Sequence, residues 1–346
     1  MVESKGQYRF SFGPWNVSEG GDPFGPPVRK PVTFARVVKM YRPLGYEGVQ
    51  FHDDDAVPEI DGKTPEQIRA QARRVKKALD AEGLVAEFVA PRLWFAPQTI
   101  DGGYTNNDPK NRRYALERSF KTIDIANELG CDLIVLWLAR EGTYVRESKN
   151  PREATLLILD AINRMLDYDP RIRIAIEPKP NEPMDHAYIP TIGHAIALAY
   201  RAADPARVGG LIESAHAILA GLDPSDEMGY ALAHDKLWSV HLNDQNGLKF
   251  DEDKSFGSAN LRRAFDQVRV LEEYGYGRRG EFVGMDVKTI RTQKADVATK
   301  HLANSRDTFL RLLEKAATLD AAREQELVRK RDYEELDKYI LNHLMG

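Results

Sequence analysis

The chain has 346 residues, 42% hydrophobic and 29% charged, with 49 basic side chains against 53 acidic ones and a net charge of −4. That is enough to bury a full core, as one large domain or two ordinary ones, and it excludes an overall basic balance favouring nucleic acid. No apolar run approaches the ~20 residues that cross a bilayer, so no membrane association is expected. The amino-terminal MVESKGQYRF has no apolar segment of the secretory kind. A single cysteine, Cys131, excludes an intrachain disulfide framework and a multi-cysteine metal site, and in CDLIVLWL it reads as a small core residue. The expectation is a soluble cytoplasmic protein.

In chain order, eight short β-like runs alternate with longer helix-like segments. The runs are YRFSF (8–12), GVQFH (48–52), VAEFVA (85–90), DLIVLWL (132–138), RIAIE (173–177), GGLIE (209–213), LWSVHL (237–242) and EFVGMDV (281–287). Several are almost continuously apolar, as strands covered on both faces are. Between them, 32–43 has helical spacing and a stop at Pro43. Segment 64–82 opens on Thr64 as N-cap with Pro65 at the first helical position and stops near Gly83. Segment 108–129 opens on Asp108-Pro109, and 151–167, 191–202, 225–235, 258–274 and 297–317 follow the same grammar. Eight strand–helix units predict an α/β chain folded as a (β/α)8 TIM barrel over 1–317. An open doubly wound sheet is the rival, weakened by the lack of G-x-G-x-x-G after the first strand. Residues 318–346 read as polar helix left over after the eighth unit. They form either a C-terminal helical arm in oligomer contact or a cap on their own barrel.

In such a barrel the chemistry gathers at the carboxyl ends of the strands. Strand two ends in His52, followed by Asp53, Asp54 and Asp55, and strand four in Trp137. Strand five ends in Glu177, with Lys179 two residues on. Strand six ends in Glu213, with His216 three residues later. Strand seven reaches His241 and runs into HLNDQNGLKFDED, which carries Asp244, Asp251 and Asp253; strand eight ends in Asp286, followed by Lys288. Each carboxylate alone reads as a cap or ion pair. Four consecutive strands ending in candidate ligands read as a metal centre. Oxygen-rich ligands with one or two imidazoles suit Mg²⁺, Mn²⁺ or Co²⁺.

These residues carry a resemblance. FSFGPW, GGDPFG, FHDDD, DGGYT, W-x-x-REG, IEPKPNEP, PTIGHA, QNGLKFDED and MDVK together resemble the xylose isomerase (glucose isomerase) family, within the xylose isomerase-like TIM barrel superfamily, essentially end to end. The resemblance implies two divalent metal ions per subunit. Glu177, Glu213 and Asp286 would hold one, and Glu213, His216, Asp251 and Asp253 the other. It implies His52 and Asp55 for opening the sugar ring, Lys179 on a sugar oxygen, and Trp15 and Trp137 as apolar walls. Phe24 would reach in from a neighbouring subunit of a homotetramer built as a dimer of dimers. The implied reaction is D-xylose to D-xylulose, and D-glucose to D-fructose, by a 1,2-hydride shift.

The chain also departs from the family. His241 stands where the family has a metal-site aspartate and Asp244 where it has glycine, so the strand-seven ligand is either His241 or Asp244. Period-two alternation favours His241, and HLND is similar to the strand-seven ending of tagatose-3-epimerase and rhamnose-isomerase branches. Ala90, Arg92 and Trp94 replace threonine, asparagine and phenylalanine, which puts Trp94 and Lys288 in a substrate pocket of altered preference. Two other functions stay open: a sugar epimerase working by proton transfer, and a sugar-binding protein that has lost turnover.

Overall fold

A computed structural model of the chain describes residues 7–248 and 250–346. Lys249, in the KFDED motif, and residues 1–6 lie outside the described residues. The apolar runs form eight parallel strands: β1 (Arg9–Phe12), β2 (Gly48–His52), β3 (Val85–Ala90), β4 (Leu133–Trp137), β5 (Arg173–Glu177), β6 (Val208–Glu213), β7 (Leu237–His241) and β8 (Phe282–Gly284). Each pairs with its sequence neighbours and β8 pairs back onto β1, closing an eight-stranded barrel with helices between the strands, a (β/α)8 fold. In-register pairing of Trp137 with Glu177 and of Glu213 with His241 brings the polar strand ends to one rim.

The helix signals operate as expected. Thr64 Oγ1 accepts from Gln67 N at 3.3 Å while Gln67 Oε1 accepts from Thr64 N at 2.8 Å, a reciprocal cap that starts the helix Pro65–Ala81. Asp108 and Asn150 cap Pro109–Leu129 and Pro151–Tyr168 through their side-chain oxygens. Two expectations need correction. Segment 32–43 is not one helix ending at Pro43. It is three short pieces, Phe34–Val37, Val38–Met40 and Tyr41–Leu44, because Pro43 has no N–H to continue the ladder, and Gly45 at φ 83° makes the stop. The eighth run, 281–287, is a strand only over Phe282–Gly284. Met285 N still donates to Ser11 O at 2.9 Å, but the chain then leaves the ladder and carries Asp286 over the rim.

The core lies between barrel and helices. Phe12 stacks on Tyr41 with ring centroids 3.8 Å apart, and Tyr41 Oη donates to Phe12 O. Burying such a ring contributes roughly 2–3 kcal/mol. Cys131 is buried, with its thiol against Glu87 O. Residues 318–346 form two helices, Ala321–Lys330 and Tyr333–Met345. Leu327 and Ile340 are buried, Glu324 pairs with Arg269 at 2.7 Å, and Asp337 pairs with Arg262. Val328, Tyr333, Leu341 and Met345 remain exposed. No helix among the described residues is long and apolar enough to cross a membrane.

Candidate metal centre

Strands β5, β6 and β7 deliver Glu177, Glu213 and His241 to the rim because each of these residues is the last of its strand. One ligand atom of each of the three lies within 4.8 Å of the others. His241 Nδ1 faces Glu177 Oε1 at 3.4 Å, Glu213 Oε2 at 3.6 Å and Asp286 Oδ2 at 3.7 Å. A second group joins Glu213 to His216 and Asp251: His216 Nε2 is 3.3 Å from Glu213 Oε1 and 3.2 Å from Asp251 Oδ2. His216 reaches this position because β6 turns directly into the short helix Ser214–Leu219. Glu213 thus belongs to both groups.

The chemistry of this donor set fits cations. Five carboxylates (Glu177, Glu213, Asp251, Asp253, Asp286) outnumber the two ammonium groups beside them (Lys179, Lys288). Both ring nitrogens of His241, His216 Nδ1 and Asp251 Oδ1 are buried with no hydrogen-bond partner of acceptable geometry. Buried polar atoms are normally satisfied, so four orphans at one point fit ligands awaiting a divalent ion. The electrostatics agree. Burial pushes the Glu213 carboxyl up to about 7, with His216 only partly opposing it. Burial disfavours a charged His241, yet Glu177, Glu213 and Asp286 outweigh it and hold the imidazole well above its ordinary range. Burial would raise Asp251, but Lys179 and His216 hold it well below the usual carboxylate range.

Not every candidate joins these groups. Asp244 does not: its Oδ2 accepts from Ala259 N at 2.7 Å and Asn260 N at 2.9 Å, and its backbone bridges to Lys254. The alternation of β7 has turned it away from the face that carries His241. Asp253, in a left-handed backbone conformation at φ 47°, pairs with Lys288 rather than with His216. Asp286 Oδ1 accepts from Trp15 Nε1 at 3.0 Å and Asn16 Nδ2 at 2.7 Å, so Trp15 is a polar anchor as well as a wall. Lys179 donates to Asp251 Oδ2 at 2.9 Å and lies 5.2 Å over the Trp137 ring.

A cavity of about 250 Å³ sits over the centre, walled by Trp15, His52, Trp94, Trp137 and Lys288 as well as the ligand carboxylates. Trp94 meets Trp137 edge to face at 4.4 Å, and Trp15 and Trp94 flank His52 at 4.2 and 5.1 Å. His52 Nδ1 lies 2.9 Å from Asp55 Oδ2. Phe24 is 83% exposed, touches Phe250 at 5.7 Å, and is not a wall of its own chain's cavity.

Three residues that matter here have no role assigned by the sequence. Asn243 Nδ2 donates to Glu213 Oε1 (2.9 Å), Asp253 Oδ1 (3.1 Å) and Asp286 O (3.0 Å), tying three strand ends together. Asn16 orients Asp286. Arg92 contacts His52, Asp54 and Asp55. A signal for Asn243 exists, since it shares a strand face with His241. Asn16 and Arg92 carry no spacing signal.

The fold and this rim define a closed parallel barrel whose strand ends converge on carboxylates and imidazoles that could hold a metal ion. The chain belongs to the xylose isomerase-like TIM barrel family, whose model matches residues 38–289. It is 38% identical over 322 residues to a xylose isomerase of Thermus thermophilus, covering 91% of this chain and 82% of that one. Among solved structures it resembles a xylose isomerase domain protein of Alicyclobacillus acidocaldarius (TM-score 0.62, 15% identity, covering 90% of this chain and 100% of that one). It also resembles a D-tagatose 3-epimerase-like protein (TM-score 0.64, 15% identity, 89% and 98%).

Proposed function

We propose that the chain is a two-metal aldose–ketose isomerase that interconverts D-xylose and D-xylulose, and D-glucose and D-fructose, by a 1,2-hydride shift after ring opening. The observation that carries this reading is the pair of ligand groups sharing Glu213, with Lys179 and a tryptophan-walled cavity beside them. The 38% identical xylose isomerase supports it. Glu177, Glu213, His241 and Asp286 would hold one ion, and Glu213, His216 and Asp251, joined by Asp253, the other. Bound there, Mg²⁺, Mn²⁺ or Co²⁺ would supply Lewis acidity to sugar oxygens and lower the pKa of a water.

The chain's own residues do the rest. Lys179, held charged by Asp251 and Glu182 although burial opposes it, presents a fixed ammonium to a sugar oxygen. Trp15, Trp94 and Trp137 exclude water from the reacting carbons. His52, oriented by Asp55, exchanges the proton that opens the ring. An imidazole in place of a carboxylate at His241 removes one negative charge and favours Mn²⁺ or Co²⁺ over Mg²⁺. The proposal includes a homotetramer in the cytoplasm; the exposed Phe24, Val328, Tyr333, Leu341 and Met345 are its candidate contacts.

The test is a ketose-detecting assay with each metal over a panel of pentoses and hexoses. No ketose from any aldose, with metal bound, sinks the proposal. A His241→Asp variant is expected to shift the metal preference towards Mg²⁺. The second reading, an epimerase using proton transfer, is favoured by His241 in HLND. Turnover in D₂O separates the two, because a hydride shift keeps solvent deuterium out of the carbon-bound hydrogen at C1 and C2 and an enediol route admits it.

A further inference from the structure

Arg92 is a buried-rim cation with no part in the reaction steps above. It follows β3 and its side chain is 16% exposed. Its Nε lies 2.8 Å from Asp54 Oδ1 and its Nη2 lies 2.9 Å from Asp55 Oδ1. The same Nη2 approaches His52 Nδ1 to 2.6 Å. Nδ1 is therefore faced at once by a cationic donor, Arg92, and by an anionic acceptor, Asp55 Oδ2 at 2.9 Å. In any one neutral state Nδ1 can serve only one of them. It carries a hydrogen and donates to Asp55, or it carries a lone pair and accepts from Arg92.

Two observations decide between these states. The guanidinium cannot lose its hydrogens, so a hydrogen on Nδ1 would face a second N–H across the shortest contact His52 makes. Asp55 does not need that hydrogen. Its Oδ2 already accepts the His52 backbone N–H at 3.0 Å and its Oδ1 accepts from Arg92. Arg92 is held beside Asp54 by an ion pair without a hydrogen bond, and its guanidinium carbon lies 5.8 and 5.4 Å from the rings of Trp94 and Phe95.

We propose that Arg92 is a positioning residue that holds resting His52 as its Nε2–H tautomer, so that the cavity is offered an N–H donor rather than a lone pair. The substrate atom placed opposite Nε2 is then an acceptor: a ring oxygen, a carbonyl or a hydroxyl lone pair. To act as a base, His52 must first exchange its Nδ1 contact from Arg92 to Asp55, which makes Arg92 the residue that opposes that exchange. The inference rests on the reading of His52 as the ring-opening group, but its readout is independent of turnover.

The test is nitrogen NMR of imidazole-¹⁵N-labelled, Mg²⁺-loaded protein, with the His52 signals among the eight histidines identified by their loss in His52→Asn. The wild type is expected to show a pyridine-like Nδ1 and a pyrrole-like Nε2. In Arg92→Leu the two characters are expected to reverse, with Arg92→Lys staying closer to wild type. A pyrrole-like Nδ1 in the wild type overturns the proposal, as does a tautomer unchanged in folded Arg92→Leu. Should that variant fail to fold for want of a partner for Asp54, Asp54→Asn/Arg92→Leu removes both charges and gives the same readout. The expected tautomers in a protein that makes no ketose would sink the isomerase reading and leave this inference standing.

Discussion

The two ends of the barrel handle charge in opposite ways. At the amino-terminal end an open cavity of about 850 Å³, larger than the one over the metal centre, is lined by Arg9, Arg171, Arg173, Lys236 and Arg279. Every one of these cations has a partner: Glu47, Asp169, Asp132, the carbonyls of Pro205 and Val208, and Asp235 respectively. At the carboxyl-terminal rim the carboxylates outnumber the cations, and the candidate ligands His216, His241 and Asp251 alone carry four buried atoms with no hydrogen-bond partner. Size does not mark the site. Unbalanced charge and unsatisfied buried atoms do, because folding alone would not retain them at their cost.

The largest effect that would break this contrast is at Glu213, which belongs to both ligand groups. Glu213→Gln is expected to weaken Mn²⁺ binding at least ~100-fold in titration calorimetry and to abolish turnover. In the wild type, metal at a hundredfold excess over Kd should add ~2.7 kcal/mol of stability that EDTA removes.

Next comes His301, which sits behind the rim between Thr289 Oγ1 (2.9 Å) and Asn16 O (2.7 Å). Burial lowers this imidazole to about 4 from its ordinary 6.5. Its folded pKa is therefore below its unfolded one, so the protein loses stability as pH falls from about 6.5 through about 4. The full loss is ~3 kcal/mol. Denaturant titrations should show this slope flattened in His301→Gln.

Asp244→Ala should leave metal affinity unchanged and cost ~1–3 kcal/mol, since Ala259 N and Asn260 N lose their acceptor. Weakened metal binding there would return Asp244 to the ligand set. The smallest effect belongs to the other end. Arg279 and Asp235 are mostly exposed, so Asp235→Asn, which suits the left-handed backbone at φ 55° and removes only the charge, should change stability by under ~0.5 kcal/mol and turnover not at all. A larger change would show that the basal cavity does more than pair charges.

The alternation of apolar runs with capped helices set out eight strand–helix units by itself, because strand period, N-caps and stops are local properties of neighbouring residues, but the pairing of β8 with β1 that closes a barrel rather than an open sheet was decided by the folded chain. Glu177, Glu213 and His241 were legible for the same reason: each closes an apolar run, and a parallel barrel sends such ends to one rim. Alternation also separated His241 from Asp244. What lies off the strands was not legible. That Asp253 pairs with Lys288, that Asn16 holds Asp286, and that Arg92 meets His52 depend on loops far apart in sequence, whose approach no period encodes. The tail illustrates the same limit. Its helices could be read from spacing, but the burial of Leu327 and Ile340 and the pairing of Glu324 with Arg269 were decided by the surface they met in the folded chain.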